Sequence, residues 1–124
     1  MENEASKRIA SYRDLRIYQR SYVLALEVHT PVSSRLLNAG NSVHNCDAPL
    51  LSIPINIAEG YGRKRSPEDF KRFLVIALGS SNEVSVVLDL ARDLGYLSEA
   101  PHTKLKQECE EIGKGINKLI QVWR

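Results

Sequence analysis

One stretch limits the fold more than any other: residues 67–94, which read as a single long helix. Ser66 suits an N-cap, Pro67 fits the first helical position, and Asp69 stands where a capping-box acid belongs. Phe70, Phe73, Leu74, Ala77, Leu78, Val84, Val87, Leu88, Ala91 and Leu94 follow the helical period, and Gly95 supplies a C-terminal stop. The other side is apolar too, with Val75, Ile76, Val86 and Leu90. A helix apolar around most of its circumference has to be covered on more than one side. One small bundle covers one side, so this helix predicts contacts between subunits.

Three further segments supply partners for it. Helical periodicity starts near Tyr12. Leu15, Tyr18, Tyr22, Ala25 and His29 stack on one face, Ile17, Leu24 and Val28 form a stripe beside it, and Pro31 ends the helix. Leu105, Cys109, Ile112, Ile116, Leu119 and Trp123 form a bundle seam on a last helix that starts at Ser98, with Pro101 in its first turn. Residues 32–48 are rich in poor helix formers (Asn38, Gly40, Asn41, Asn45), so the second helix is the least regular. It is expected from about 33 to 61, kinked or broken near 47–54. The chain of 124 residues, 43% apolar and 26% charged, suits one globular domain. The expected fold is all-α: an antiparallel up-down four-helix bundle over 12–124, behind a flexible tail of residues 1–11.

The stretch "SIPINIAEGYGRKRS", residues 52–66, admits three readings. A phosphate-binding glycine loop fails, because the G-x-x-x-x-G-K-[ST] pattern and a strand–loop–helix unit are missing. A strand fails, because Pro54 would remove a ladder bond and no partner strand exists. A helix remains, with Leu50, Ile53 and Ile57 on one side. Pro54 crowds the carbonyl of Leu50 and should kink it, and Gly60 or Gly62 should end it.

Enzymatic chemistry finds no support. A single Glu-x-x-His match, Glu99 to His102, lies at a helix start with Pro101 inside and reads as a solvated terminus. His44 and Cys46 are isolated, and His29, on the core-facing stripe of the first helix, reads as a packed or boundary histidine. No nucleophile–base arrangement has supporting context, so no catalytic residue, metal site or cofactor is expected. Cys46 and Cys109 have no metal-ligand spacing and read as free buried thiols. No apolar run reaches about 18 residues, so no membrane span is expected. The start "MENEASKRIA" lacks the apolar core of a signal peptide, which points to the cytoplasm.

Charge gives the clearest surface signal. The net charge is only +2, so clustering has to carry any argument for a polyanionic partner. Arg63, Lys64 and Arg65 precede the third helix, and Lys71 and Arg72 follow one turn in. A second basic group, Lys7, Arg8, Arg13, Arg16 and Arg20, lies on the first helix and its lead-in. The cluster reads either as a solvated polar face or as a contact surface for the RNA or DNA backbone. Asn56, Glu59, Ser80 and Glu83, with Asn82, interrupt otherwise apolar helices. They read as a buried hydrogen-bond network, with Arg63 on Glu59 or Glu83, or as a pocket for a protein partner.

Four segments together carry a resemblance: "YRDLRIYQRS" (12–21), "SIPINIAEGYGR" (52–63), "FKRFLVIALGSSNEV" (70–84) and "LDLARDLGYLSE" (88–99). They resemble the four-helix-bundle family named for the 23S rRNA intervening sequence, over about residues 12–122. The resemblance implies a ring-like homopentamer with no known enzymatic activity and a molecular role not established. A similar bundle pentamer is the accessory protein of diversity-generating retroelements, which binds a reverse transcriptase and nucleic acid; that likeness is one of fold. It leaves an accessory subunit of a nucleic-acid enzyme as a further reading. One departure stands out: Asn45, Asp47, Ala48 and Pro49 replace the glutamine and basic pair that family members usually carry before SIP. An acid and a proline, Asp47 and Pro49, thus stand where the family's basic pair would be.

Overall fold

The computed structural model describes residues 8–29 and 47–124, and everything below concerns those residues. Readings that fall on residues 1–7 and 30–46, including the first part of the second helix, His44 and Cys46, lie outside them. The described elements are a 3₁₀ turn (Tyr12–Asp14), α1 (Arg16–Val28), α2 (Asp47–Gly62), α3 (Pro67–Asp93) and α4 (Glu99–Val122), with no strand among them.

Local chemistry sets the element ends. Ser11 caps the 3₁₀ turn: its hydroxyl accepts from the N–H of Arg13, while Asp14 Oδ2 accepts from the N–H groups of Ala10 and Ser11 at 2.8 and 3.0 Å. Those two backbone donors hold the Asp14 carboxyl below its ordinary range. The helix expected from Tyr12 is thus two pieces, because Leu15 is extended and starts α1 afresh. Ser66 accepts from the N–H of Asp69 at 3.3 Å, with Pro67 opening α3. Gly95, at φ +82°, closes α3: Tyr96 N–H reaches Ala91 O at 2.8 Å and Gly95 N–H reaches Arg92 O at 3.0 Å, a Schellman ending. Ser98 occupies the N-cap of α4, yet its side chain makes no capping bond.

The helices pack in a closed cycle: α1 on α2, α2 on α3, α3 on α4, and α4 back on α1. Paired residues show that each neighbour runs antiparallel. Ser52 meets Ser80 and Tyr61 meets Phe70 between α2 and α3. Phe70 meets Trp123, and Asp89 meets His102, between α3 and α4. His29, just past α1, meets Asp47 at the start of α2, and Arg20 of α1 meets Glu108 of α4. The core is built from Leu24, Val28, Leu50, Ile53, Ile57, Phe70, Leu74, Leu88, Ile112 and Ile116, all fully enclosed.

One expectation changes. On α1 the core face is the Ile17, Leu24 and Val28 stripe with Ser21, whereas Tyr22 is 50% exposed and His29 stands in solvent. Both stripes are apolar, so periodicity alone could not choose between them. α2 is a single helix from Asp47 through Pro54 to Gly62, the later of the two stops expected. Gly60 is not its stop: a Cβ there would lie 2.7 Å from Phe73 Cβ and 3.0 Å from Phe70 Cδ1, so Gly60 lets α2 and α3 approach closely.

α3 is long and apolar enough, by length and composition, to cross a membrane. In the bundle its Phe70, Leu74, Ala77, Val84, Leu88 and Ala91 stripe faces the core. Val75, Ile76 and Val86 remain about half exposed, at 56%, 46% and 58%. Leu26, Leu51 and Ile55 are exposed as well and line, with Tyr12, Tyr18, Tyr22 and Pro54, an open apolar groove of about 450 Å³ between α1 and α2.

Candidate nucleic-acid interface

The basic residues of the α2–α3 connection are displayed by a tight turn. Arg63 N–H donates to Gly60 O at 2.9 Å, Lys64 N–H to Tyr61 O at 3.1 Å, and Ser66 N–H to Arg63 O at 3.0 Å. The first two of these i→i−3 bonds satisfy carbonyls of the last turn of α2, the third closes the turn, and Arg63, Lys64 and Arg65 are left exposed. Ser66 then starts α3, which puts Lys71 and Arg72 one turn away.

Aromatic rings organise this cluster. The guanidiniums of Arg63 and Arg72 both lie over the Phe73 ring, at 5.1 and 5.4 Å from its centroid. Lys64 Nζ donates to Tyr61 Oη at 2.8 Å. Arg63 reaches Glu59 at 3.5 Å and Arg72 reaches Asp69 at 3.4 Å, between side chains that are 43% to 63% exposed. Such surface pairs are worth about 0–1 kcal/mol and are easily exchanged for phosphate. Arg65 and Lys71 form no ion pair with any described residue. All five sequence-selected cations thus fall in one neighbourhood, with Phe73 as an organiser that charge reading overlooked. Its spacing from Arg72 and its place after the turn were the available signals.

The internal polar group assembles only in part. Ser80 Oγ donates to Ser52 Oγ at 2.7 Å, and Asn56 Nδ2 donates to Ser52 Oγ and Ser52 O at 2.9 and 2.8 Å. Ser52, one helical turn before Asn56, is the hub, and sequence reasoning passed over it. Glu59 and Glu83 are exposed and outside this network; of the two proposed partners for Arg63, Glu59 is the one it meets.

A second polar cluster was missed entirely. His102 is 5% exposed, not solvated, and its Nε2 lies 2.8 Å from Asp89 Oδ1. Lys106 Nζ donates to Asp89 Oδ2 at 3.0 Å. The bonds from His102 and Lys106 hold the Asp89 carboxyl below its ordinary range. His102 Nδ1 is buried with no hydrogen-bond partner among the described residues. Cys109 is free and buried, and desolvation pushes its thiol up to about 11. Among the described residues, no three His, Cys, Asp or Glu side chains gather as a metal site would require.

The family model for the 23S rRNA-intervening sequence protein matches residues 13–118, spanning all four helices. The chain belongs to this family. The 23S rRNA-intervening sequence proteins share its fold: a crystal structure from Bacteroides thetaiotaomicron, described as a protein of unknown function from the S23 ribosomal protein family, superposes with a TM-score of 0.76. That chain is 22% identical and is covered over 99% of its length by 86% of this one. No curated protein matches the sequence. Family membership therefore brings a bundle whose function is not established, and the geometry of this chain has to supply the functional reading.

Proposed function

We propose that this family member is a non-catalytic, self-associating helical scaffold that contacts the phosphate backbone of RNA or DNA through the α2–α3 turn. The observation that carries the reading is the concentration of Arg63, Lys64, Arg65, Lys71 and Arg72 there, with Arg65 and Lys71 lacking any acidic partner among the described residues. Cations held ready at an exposed turn release counterions when they meet phosphate, which drives salt-dependent association. The Phe73 stack holds two of the guanidiniums in place before the partner arrives.

Self-association rests on a separate observation, the uncovered apolar surface of Leu26, Leu51, Ile55, Val75 and Val86. The homopentamer implied by the family resemblance would cover it and repeat the basic turn around a ring. The Ser52–Asn56–Ser80 group satisfies its own hydrogen bonds, which favours a structural role over a partner pocket.

The test is RNA binding by the triple variant Arg63→Glu, Lys64→Glu, Arg65→Glu. Salt-sensitive binding by the parent and its loss in a variant of unchanged helicity support the reading. Absent or salt-insensitive binding by the parent overturns it.

A further inference from the structure

The basic turn is one part of a charge pattern that exists only in the folded chain. Because neighbouring helices are antiparallel, one end of the bundle collects the 3₁₀ turn with the start of α1, the α2–α3 turn and the end of α4. Tyr12 and Ala58 border one groove, the Tyr61 and Phe70 rings are 6.1 Å apart, and Phe70 and Trp123 are 4.8 Å apart. Dividing each helix at its midpoint assigns residues 8–22, 55–80 and 111–124 to that half, where twelve Lys and Arg stand against five Asp and Glu. The other half, residues 23–29, 47–54 and 81–110, holds three against eight. A net charge of +2 therefore conceals a bundle polarised along its axis.

Solubility does not call for this arrangement, since interspersed charges serve it better and like charges at one end repel. Several cations of the basic half are paired, Arg20 with Glu108, Arg63 with Glu59, Arg72 with Asp69 and Lys114 with Glu111. Arg13, Arg65, Lys71 and Arg124 of that half pair with no carboxylate among the described residues. Arg13 lies 4.8 Å from the centroid of the partly exposed Tyr12 ring, and Arg124 follows the partly exposed Trp123. Cations beside accessible rings suit a strand that offers both phosphates and bases. Neighbouring helix axes lie about 8–10 Å apart, so these cations spread over the reach of several phosphates.

We infer that the whole basic end, with Arg13 and Arg124 joining Arg65 and Lys71, is one continuous surface for single-stranded RNA. The inference rests on the phosphate-contact reading of the α2–α3 turn and extends it to two segments remote in sequence.

The experiment measures anisotropy of a labelled single-stranded RNA of about 30 nucleotides at salt between about 50 and 200 mM, using the full chain. Arg13→Glu with Arg124→Glu is compared with the turn triple variant and with Lys104→Glu plus Gln107→Glu, which adds negative charge to the acidic end. The Arg13/Arg124 variant is expected to bind roughly tenfold more weakly and to lower the salt slope by about 1.4, the share of two single-strand contacts. The acidic-end variant is expected to bind like the parent. If the turn variant loses binding and the Arg13/Arg124 variant does not, the extended surface is overturned while the turn reading survives. Equal loss in the acidic-end variant overturns the axial placement, because net charge alone then governs binding. Failure of the parent to bind removes both readings, and binding only to phosphatidylserine vesicles replaces RNA with a membrane surface.

Discussion

His102 Nε2 lies 2.8 Å from Asp89 Oδ1, and this contact ties the first turn of α4 to the last turns of α3. Glu99 and Pro101 made the start of α4 look like a solvated terminus. In the fold His102 is enclosed, and Asp89 is the acceptor that makes its burial tolerable.

Asp89→Ala should therefore destabilise the bundle by about 1–2 kcal/mol, the cost of leaving a buried donor unpaired, with Asp89's own partial exposure keeping it at the low end. Urea denaturation followed by circular dichroism measures it. The pH dependence has a definite sign. Asp89 is held below its unfolded value of 3.8, so the folded state keeps the carboxylate longer than the unfolded state does. Its contribution is complete above about pH 4 and drains away as pH falls through the lower folded value. Between neutral pH and pH 3 the parent should lose more stability than Asp89→Ala; equal losses would count against the contact.

Gly60→Ala should weaken the bundle by roughly 1–3 kcal/mol, because its Cβ would meet the Cβ of Phe73 at 2.7 Å and neither backbone can yield cheaply. Gly79→Ala supplies the control, since nothing lies within 4 Å of a Cβ there. Helix propensity predicts stabilisation of about 0.5–1 kcal/mol at that exposed position. Thermal melts of the two variants should move in opposite directions, and a shared direction would refute the close-approach reading.

Cys109 should be inert in the native protein. Burial raises its thiol to about 11, so little thiolate forms near neutral pH. In a Cys46→Ser background, labelling by iodoacetamide at pH 8 should be slow and should accelerate manyfold in denaturant. The native state holds this proton more tightly than the unfolded state, so the contribution is full below about pH 9 and falls as pH rises toward 11. Rapid native labelling would contradict the enclosure.

Leu51→Glu with Ile55→Glu tests the proposed self-association. Both side chains are more than half exposed on α2, so the folded bundle should survive with its helicity intact. Light scattering should show a smaller particle than the parent. A parent that is already a monodisperse monomer at micromolar concentration would defeat the oligomer reading.

Much of the bundle was legible in the chain. The capping of α3 by Ser66, its stop at Gly95, the seam from Leu105 to Ile116 and the helical nature of the SIPINIAEG stretch all depend on chemistry within one turn or one face. The basic turn was legible for the same reason, as five cations within ten residues. Which stripe of α1 enters the core was not, because two neighbouring stripes were both apolar and the partner helix made the choice. Ser52 as hub of the polar network, His102 as Asp89's enclosed partner and Gly60 as a crossing point likewise depend on a second helix arriving at a particular height. Charge divides along the same line. Sequence determined a net of +2 and a local cluster; antiparallel packing decided that cations from three distant segments meet at one end. Periodicity and capping act within a single helix, whereas register and the pairing of ends are set only when helices pack.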